Sequence, residues 1–276
     1  MLLSYRLRSP ERRGFETRLA ASEDGLSFRD VWAATKDDLA AESIERCAIV
    51  ALDGRVRLYV SFVDRVDRHW RIATLEAARV EDIDPGERRV ALTAAEAGSV
   101  GVKDPVVVRR RDEWLMFVST TSAIPDEDAL HAEGDAFNTG RVRSLTGLAT
   151  SRDGIAWRYA GVVLRPTDDA WDAFESRLTA VLEVGGRFVG VYDGARTVAG
   201  NYEERTGIAT SADLVRWERR TPDAPALEAP GGGAFRYVAA TPDASRIYFE
   251  IAAEDGSHEL RTAPLRIEAL ARYLDR

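Results

Sequence analysis

The stretch Ala149-Thr150-Ser151-Arg152-Asp153-Gly154-Ile155-Ala156-Trp157 recurs along the chain. A second copy spans 209–217, a third spans 20–28, and weaker copies begin at Ile72 and Leu260. The copies therefore start near residues 20, 73, 149, 209 and 262, at intervals of 53 to 76 residues. Five copies spaced in this way predict a repeat architecture.

Each copy has the residues of a tight turn between two strands. A short apolar stretch ends at Ser, Asp follows two residues later, and an aromatic residue opens the next stretch. An Asp side chain can accept hydrogen bonds from the backbone that follows it, which favours a turn joining antiparallel strands. We expect Phe28, Trp157 and Trp217 to pack between neighbouring sheets, because a repeat needs the same anchor in each unit.

Composition excludes several classes of protein. The chain has 276 residues, 45% of them hydrophobic, and a formal net charge of −8. A general nucleic-acid binder would carry a basic footprint, so no nucleic-acid partner is expected. Cys47 is the only cysteine, which excludes an intrachain disulfide and a zinc site made of cysteines. We predict no metal and no cofactor.

The sequence predicts a protein that does not enter a membrane. Arg6, Arg8 and Glu11 interrupt the N-terminal apolar residues too early for the core of a signal peptide. No apolar run approaches the length of a membrane span. We therefore predict a cytoplasmic location and no membrane partner.

Strand patterns repeat in each unit. The run 47–52 is continuously apolar, as in a strand buried on both faces, and Asp53-Gly54 is a strong hairpin signal. Long loops are predicted at 122–142 and 194–205, and a helix at 267–273. The predicted fold is all-β, a single domain over 1–276 that forms a five-bladed β-propeller of four-stranded antiparallel sheets. Only the innermost strand of the first unit is not evident.

Charged residues concentrate where the innermost strands begin. In a propeller these strands line the axis, so their first residues would meet in a funnel. Cys47 to Ser61 and Pro105 to Ser119 are both fourteen residues apart, which puts Arg46 level with Asp104. The predicted rim of the funnel consists of Glu45, Arg46, Lys103, Asp104, Glu175, Arg177 and Arg236.

Such a cluster can perform acid–base chemistry, since charges in a concave, partly dry site shift each other's protonation. Glycoside hydrolysis uses two carboxylates that flank the scissile bond, and Asp104 and Glu175 are the pair we select. The alternative is that arginine–carboxylate pairs only join neighbouring blades. Asp193, Tyr237 and Glu250 are further candidates for contacting a sugar, with a structural role as the alternative.

Gly101-Val102-Lys103-Asp104-Pro105-Val106-Val107-Val108, followed by Trp114 to Ser119, resembles the first two blade strands of five-bladed propeller glycoside hydrolases. These include families 43, 32, 62 and 130. The resemblance implies three acids on successive inner strands. Asp104 matches the positioning Asp of their Asp-Pro motif, and Glu175 is similar to their proton donor. The third acid does not carry over cleanly, so either Glu45 substitutes for the base or there is none.

A missing base fits a second activity that the resemblance implies. Many members of family 130 are phosphorylases, in which phosphate attacks and no carboxylate base is needed. Arg46, Arg177 and Arg236 suit an anion, because guanidinium groups bind phosphate or carboxylate bidentately. Our first hypothesis is nevertheless a glycoside hydrolase acting on an oligosaccharide or glycoside, with Glu175 as the proton donor and Asp104 orienting the sugar. The alternatives are a phosphorylase, an enzyme for an anionic sugar, and a non-catalytic propeller that binds a sugar or a protein.

Overall fold

A computed structural model of the protein describes residues 1–6, 14–122, 135–255 and 257–274. It contains five antiparallel sheets, which are the blades of a five-bladed β-propeller, and the predicted all-β fold is confirmed. The chain forms two compact units, Met1–Ala136 with Ala149–Gly161, and Phe137–Leu148 with Val162–Arg276. The assignment of 1–276 to a single domain stays a prediction.

The strands of each sheet follow one another in chain order. The first sheet contains β1 (Leu2–Tyr5), β2 (Glu16–Ala21) and β3 (Arg29–Thr35). The second contains β4 (Ala41–Leu52), β5 (Arg55–Asp64), β6 (Trp70–Ala77) and β7 (Arg89–Leu92). The third contains β8 (Val102–Arg110), β9 (Glu113–Thr120), β10 (Leu145–Ser151) and β11 (Arg158–Leu164). The fourth contains β12 (Glu175–Val184), β13 (Arg187–Ala195), β14 (Arg205–Ser211) and β15 (Glu218–Arg219). The fifth contains β16 (Phe235–Ala240), β17 (Arg246–Ala252) and β18 (His258–Pro264).

We expected four strands in every sheet. Over the residues that the structure describes, this prediction is wrong for the first and fifth sheets, which have three strands each. The repeated turn follows β2 in the first sheet but follows the third strand, β10 or β14, in later sheets. Among the described residues, the first sheet therefore lacks the innermost strand, as the sequence indicated, and the fifth sheet lacks the outermost one.

Helices are short and lie between strands or at the C-terminal end. They are α1 (Ala94–Ala97), α2 (Ile267–Ala271) and single 3₁₀ turns at Val80–Asp82, Pro85–Glu87, Ala136–Asn138, Val198–Gly200 and Pro230–Gly232. The helix predicted at 267–273 is present and ends two residues early. The long loop predicted at 122–142 lies largely outside the described residues. Over the described ranges, no helix is long and apolar enough to cross a membrane.

The repeated turn has the same hydrogen bonds in all three strong copies. Oδ1 of Asp153 accepts from the backbone N–H groups of Ile155 and Ala156 at 2.8 and 2.9 Å, and from Ser151 Oγ at 2.9 Å. Asp24 and Asp213 make the corresponding bonds at 2.8 to 3.2 Å. The side chain predicted to stabilise the turn therefore does so.

The residue after each Asp adopts a left-handed conformation. The φ angles are 70° at Gly25, 71° at Gly154 and 69° at Leu214. Glycine reaches this region at little cost, whereas Leu214 is a rare non-glycine case. At Gly154 the space is also closed, because a Cβ atom there would lie 2.4 Å from Arg57 Nη1.

The aromatic residue that follows the turn contacts the neighbouring sheet in the copy at 149–157. Trp157 is 9% exposed and meets Tyr59 of β5 edge to face, with ring centroids 5.8 Å apart. Its Nε1 donates to Gly154 O at 3.1 Å, which fastens the ring to its own turn. Trp217 donates in the same way to Leu214 O at 3.2 Å and, like Phe28, is half-buried.

Separate apolar cores lie within the two units. The first joins the first and second sheets and includes Leu19 and Phe62, both fully buried. The second joins the fourth and fifth sheets and is capped by residues around α2, among them Tyr273. Phe235 and Phe249 stack within it, with centroids 4.3 Å apart.

Replacing Asp153 by Ala should destabilise the protein by about 1 kcal/mol, the usual cost of losing a side chain that satisfies backbone donors. Chemical unfolding followed by fluorescence would measure this. Arg152→Ala is the matched control, because Arg152 is an exposed neighbour in the same turn. Equal stability of the two variants would show that the Asp hydrogen bonds contribute nothing.

The contribution of this turn should also depend on pH. Backbone hydrogen bonds from Ile155 and Ala156 lower the pKa of Asp153, and the equivalent bonds lower the pKa of Asp24 to about 2. A depressed pKa stabilises the fold above the ordinary value of about 3.9 and loses that effect as pH falls through the folded value. The stability gap between wild type and Asp153→Ala should therefore narrow below about pH 4. A gap that widens on acidification would contradict this.

Candidate active-site carboxylates

The four inner strands share an irregularity close to where each begins. The pairing register shifts between Ile44 and Cys47 in β4, between Lys103 and Val106 in β8, and between Arg236 and Ala239 in β16. In these three strands two residues face a single residue of the next strand, which is a β-bulge. β12 also gains one residue relative to its partner, between Leu178 and Ala180. Bulges redirect side chains and are frequent next to active sites.

The bulges correct the alignment made from the sequence. The residues in the first bulge position are Glu45, Asp104 and Tyr237. Arg46, which the sequence placed level with Asp104, lies one position later. The error arose because Ser61 and Ser119 were treated as equivalent, whereas Ser61 faces the bulge and Ser119 pairs with Lys103.

Glu45 and Lys103 form a buried ion pair between neighbouring inner strands. Lys103 Nζ lies 3.0 Å from Glu45 Oε2, and the two side chains are 4% and 11% exposed. Asp135 Oδ2 lies 3.8 Å from the same ammonium group, which also sits 5.0 Å from the centroid of the Trp70 ring. Arg6 Nη1 lies 3.8 Å from Glu45 Oε1. Glu45 is therefore held between two cations.

Asp104 is held by its backbone as well as by its side chain. Its φ angle is 56°, in the left-handed region. Its backbone N–H donates to Ser61 Oγ at 2.9 Å, and Ser61 Oγ donates to Arg46 O at 2.8 Å. Ser119 Oγ donates to Asp104 Oδ2 at 3.5 Å. Asp104 is therefore held by β5 through its backbone and by β9 through its side chain, and strained backbone of this kind clusters at functional sites.

The second unit contains a chain of alternating acids and arginines. Arg177 Nη2 lies 2.7 Å from Glu175 Oε1 and 2.8 Å from Glu204 Oε1. The other oxygen of Glu204 accepts from Arg236 Nη1, and Arg236 Nε donates to Glu250 Oε1 at 2.8 Å. The first four side chains are at most 4% exposed. Buried charges persist only when paired, and this chain pairs each of them.

Protonation along this chain follows from the pairing. Burial lowers the pKa of Arg236, but the charges of Glu204, Tyr237 and Glu250 outweigh burial and raise it. Burial raises the pKa of Glu250, but the Arg236 charge and hydrogen bonds from Arg236 and His258 hold it below its usual range. His258 Nδ1 lies 2.6 Å from Glu250 Oε1. Arg236 is therefore a permanent cation and Glu250 an anion at neutral pH.

Tyr237 lies beside the two arginines of this chain. Its ring centroid is 5.7 Å from the guanidinium carbon of Arg177 and 5.0 Å from that of Arg236. Its φ angle is 52°, and its backbone N–H donates to both oxygens of Asp193 at 3.2 and 3.1 Å. Asp193 is fully buried, whereas Tyr237 is half-buried. The Asp193 carboxylate therefore stabilises the bulge of β16 that positions the Tyr237 ring.

The structure gathers the predicted site residues into two groups. Glu45, Lys103 and Asp104 lie together in the first unit, and Glu175, Arg177, Asp193, Arg236, Tyr237 and Glu250 lie together in the second. That both groups share one rim stays a prediction. Across the described ranges, no three His, Cys, Asp or Glu side chains are placed to hold a metal ion.

Sequence reasoning missed the residue that connects the second group. Glu204 lies just before β14, at the end of a stretch that was read only as a long loop. Its neighbours Glu203 and Arg205 make a run of charges, which is normal for a solvated loop. Its partners in the fold, Arg177 on β12 and Arg236 on β16, show why Glu204 is buried.

Comparison with solved structures identifies the same fold in carbohydrate-active enzymes. A family-43 glycoside hydrolase superposes with a TM-score of 0.68 and 12% identity, over 92% of this chain and 83% of its own. The β-1,2-mannobiose phosphorylase from Listeria innocua, in complex with β-1,2-mannobiose, gives a TM-score of 0.65 and 15% identity, over 94% and 69%. An α-L-arabinofuranosidase from Lactobacillus brevis gives 0.63 and 15%, over 95% and 86%.

These similarities confirm the expected resemblance to five-bladed propeller glycoside hydrolases at the level of the fold. No protein-family model and no curated protein sequence matches the chain. At 12–15% identity, a shared fold does not carry an activity with it.

Lys103→Met should destabilise the protein by about 3–5 kcal/mol, because it leaves the buried Glu45 carboxylate without its nearest cation. Adding Glu45→Gln should recover most of that loss. Urea unfolding of the two single variants and the double variant measures the coupling. Additive losses would mean that the 3.0 Å pair has no energetic role.

Proposed function

We propose that the protein is a glycoside hydrolase that uses carboxylates on the inner strands of a five-bladed propeller. The observation that carries the proposal is the placement of two buried acids, Glu45 and Asp104, at the same bulge position of neighbouring inner strands. Glycoside hydrolases usually act through two carboxylates of the protein that flank the scissile bond. The fold shared with glycoside hydrolases supports the same reading.

In the proposed reaction, Glu175 donates a proton to the leaving glycosidic oxygen as the bond to the anomeric carbon breaks. Glu45 takes a proton from a water molecule whose oxygen forms the new bond to that carbon. Asp104 orients the sugar. A base must be ionised, and the ammonium group of Lys103 favours the ionised form of Glu45. Proton exchange with solvent then restores both acids.

Phosphorolysis is the alternative, and the charges of the second unit argue against it. Arg177 and Arg236, which the sequence offered to an anion, each already contact two carboxylates. A phosphate approaching them would also meet those acids. This argument favours water over phosphate as the attacking group, and a neutral sugar over an anionic one.

The remaining candidates support the substrate indirectly in this proposal. Tyr237 offers a half-buried ring for contact with a sugar, and Asp193 holds its backbone. Arg236 lies 5.0 Å from the centroid of that ring and pairs with Glu250. A propeller that binds a sugar or a protein without turning it over would use the same surface, so turnover separates these readings.

Asp104→Asn should lower turnover of aryl glycosides and short oligosaccharides by about 100-fold or more, because a substrate that is no longer correctly oriented can lose that much in rate. The fold should persist, because Asn adopts the left-handed conformation as readily as Asp. Circular dichroism and thermal unfolding check the fold. Asp30→Asn, an exposed carboxylate on β3, is the matched control. Wild-type turnover in Asp104→Asn would overturn the assignment.

Turnover should not depend on inorganic phosphate. Release of reducing sugar from the same panel, measured in phosphate-free buffer and with phosphate added, decides between the two reactions. Turnover that appears only with phosphate would establish the phosphorylase instead. No turnover of any compound would favour the non-catalytic propeller.

A further inference from the structure

Glu204 and Glu175 both contact the same guanidinium nitrogen of Arg177. Nη2 of Arg177 lies 2.7 Å from Glu175 Oε1 and 2.8 Å from Glu204 Oε1. All three side chains are at most 4% exposed, so water does little to screen their interaction. The single nitrogen between two carboxylates is the geometric basis of the inference.

A proton donor beside an arginine faces a conflict. The donor must hold its proton until the leaving oxygen needs it, whereas a neighbouring guanidinium favours the ionised carboxylate. Glu175 is fully buried, which favours the protonated form, and lies against Arg177, which opposes it. A second acid on the same nitrogen reduces the extent to which Arg177 favours the ionised form of Glu175.

We propose that Glu204 is a positioning residue for Glu175: by sharing Arg177, it keeps Glu175 able to carry a proton. The inference rests on the proposed function, in which Glu175 is the proton donor. Arg236 completes the arrangement, because it binds the other oxygen of Glu204. Glu204 itself does not touch the substrate in this account.

Other charged groups pack around these four residues. Asp193 of β13 pairs in register with Arg177 of β12. Its carboxylate accepts a hydrogen bond from the backbone N–H of Tyr237 on β16. Glu250 on β17 binds Arg236, and His258 on β18 lies against Glu250. Glu204 is the acid that bridges the two arginines.

The test is a titration of Glu175 in the protein without substrate, using carbon-13-labelled glutamate and carboxyl NMR. The Glu175 signal is assigned by its loss in Glu175→Gln. In Glu204→Gln, Arg177 retains Glu175 as its charged partner on that nitrogen, so the Glu175 midpoint should move to lower pH. Glu203→Gln is the matched control, because it removes the adjacent, 48% exposed acid, which accepts from Ala234 N–H. It should leave the midpoint in place.

A second variant guards against failure of Glu204→Gln to fold. Arg236→Gln leaves Glu204 with Arg177 as its cation, so the Glu175 midpoint should move in the opposite direction, to higher pH. Unchanged midpoints, equal shifts in the Glu203 and Glu204 variants, or shifts of reversed sign would overturn the inference.

Activity gives an independent reading. The alkaline limb of the pH–rate profile should move to lower pH in Glu204→Gln and stay in place in Glu203→Gln, which a merely structural role would not produce. If the titration shifts occur and no glycoside is turned over, the electrostatic link stands and the proposed function fails. If glycosides are turned over and the Glu175 midpoint does not move, the function stands and the role of Glu204 fails.

Discussion

A β-bulge near the start of the inner strands determines where the candidate site residues lie. At this point in β4, β8 and β16, two residues oppose a single residue of the next strand. The extra residue interrupts the regular pairing and changes the direction of the side chains at the bulge. The strain is measurable in the backbone, since Asp104 and Tyr237 have φ angles of 56° and 52°. Hydrogen bonds from neighbouring strands hold both residues there: Ser61 accepts from Asp104 N–H, and Asp193 accepts from Tyr237 N–H.

Burial explains why so many charges surround these bulges. A guanidinium or carboxylate that is at most 4% exposed must have a partner of opposite charge, and each new partner must itself be paired. The result in the second unit is the sequence of Glu175, Arg177, Glu204, Arg236 and Glu250. The same pairing that keeps Arg177 and Arg236 buried is the basis on which we propose a neutral sugar rather than an anionic one.

Local patterns were sufficient to predict the blades, because their signals are short in range. The Asp turn, the hairpin at Asp53-Gly54 and the C-terminal helix each depend on residues within about one turn of each other. Bulges were not predictable, since they depend on which residue of the next strand is skipped. That is why Arg46 was placed level with Asp104, a position that Glu45 occupies. Glu204 was missed for a related reason, because its partners lie 27 and 32 residues away in sequence.

The origin of the oxygen that enters the product tests the central claim most directly. Wild-type protein would be incubated with a glycoside that it cleaves, in water enriched in oxygen-18 and containing phosphate, and the products analysed promptly by mass spectrometry. Hydrolysis with Glu45 as the base puts one labelled oxygen at the anomeric carbon of the released sugar. An unlabelled sugar phosphate as the product would contradict the account and establish transfer to phosphate.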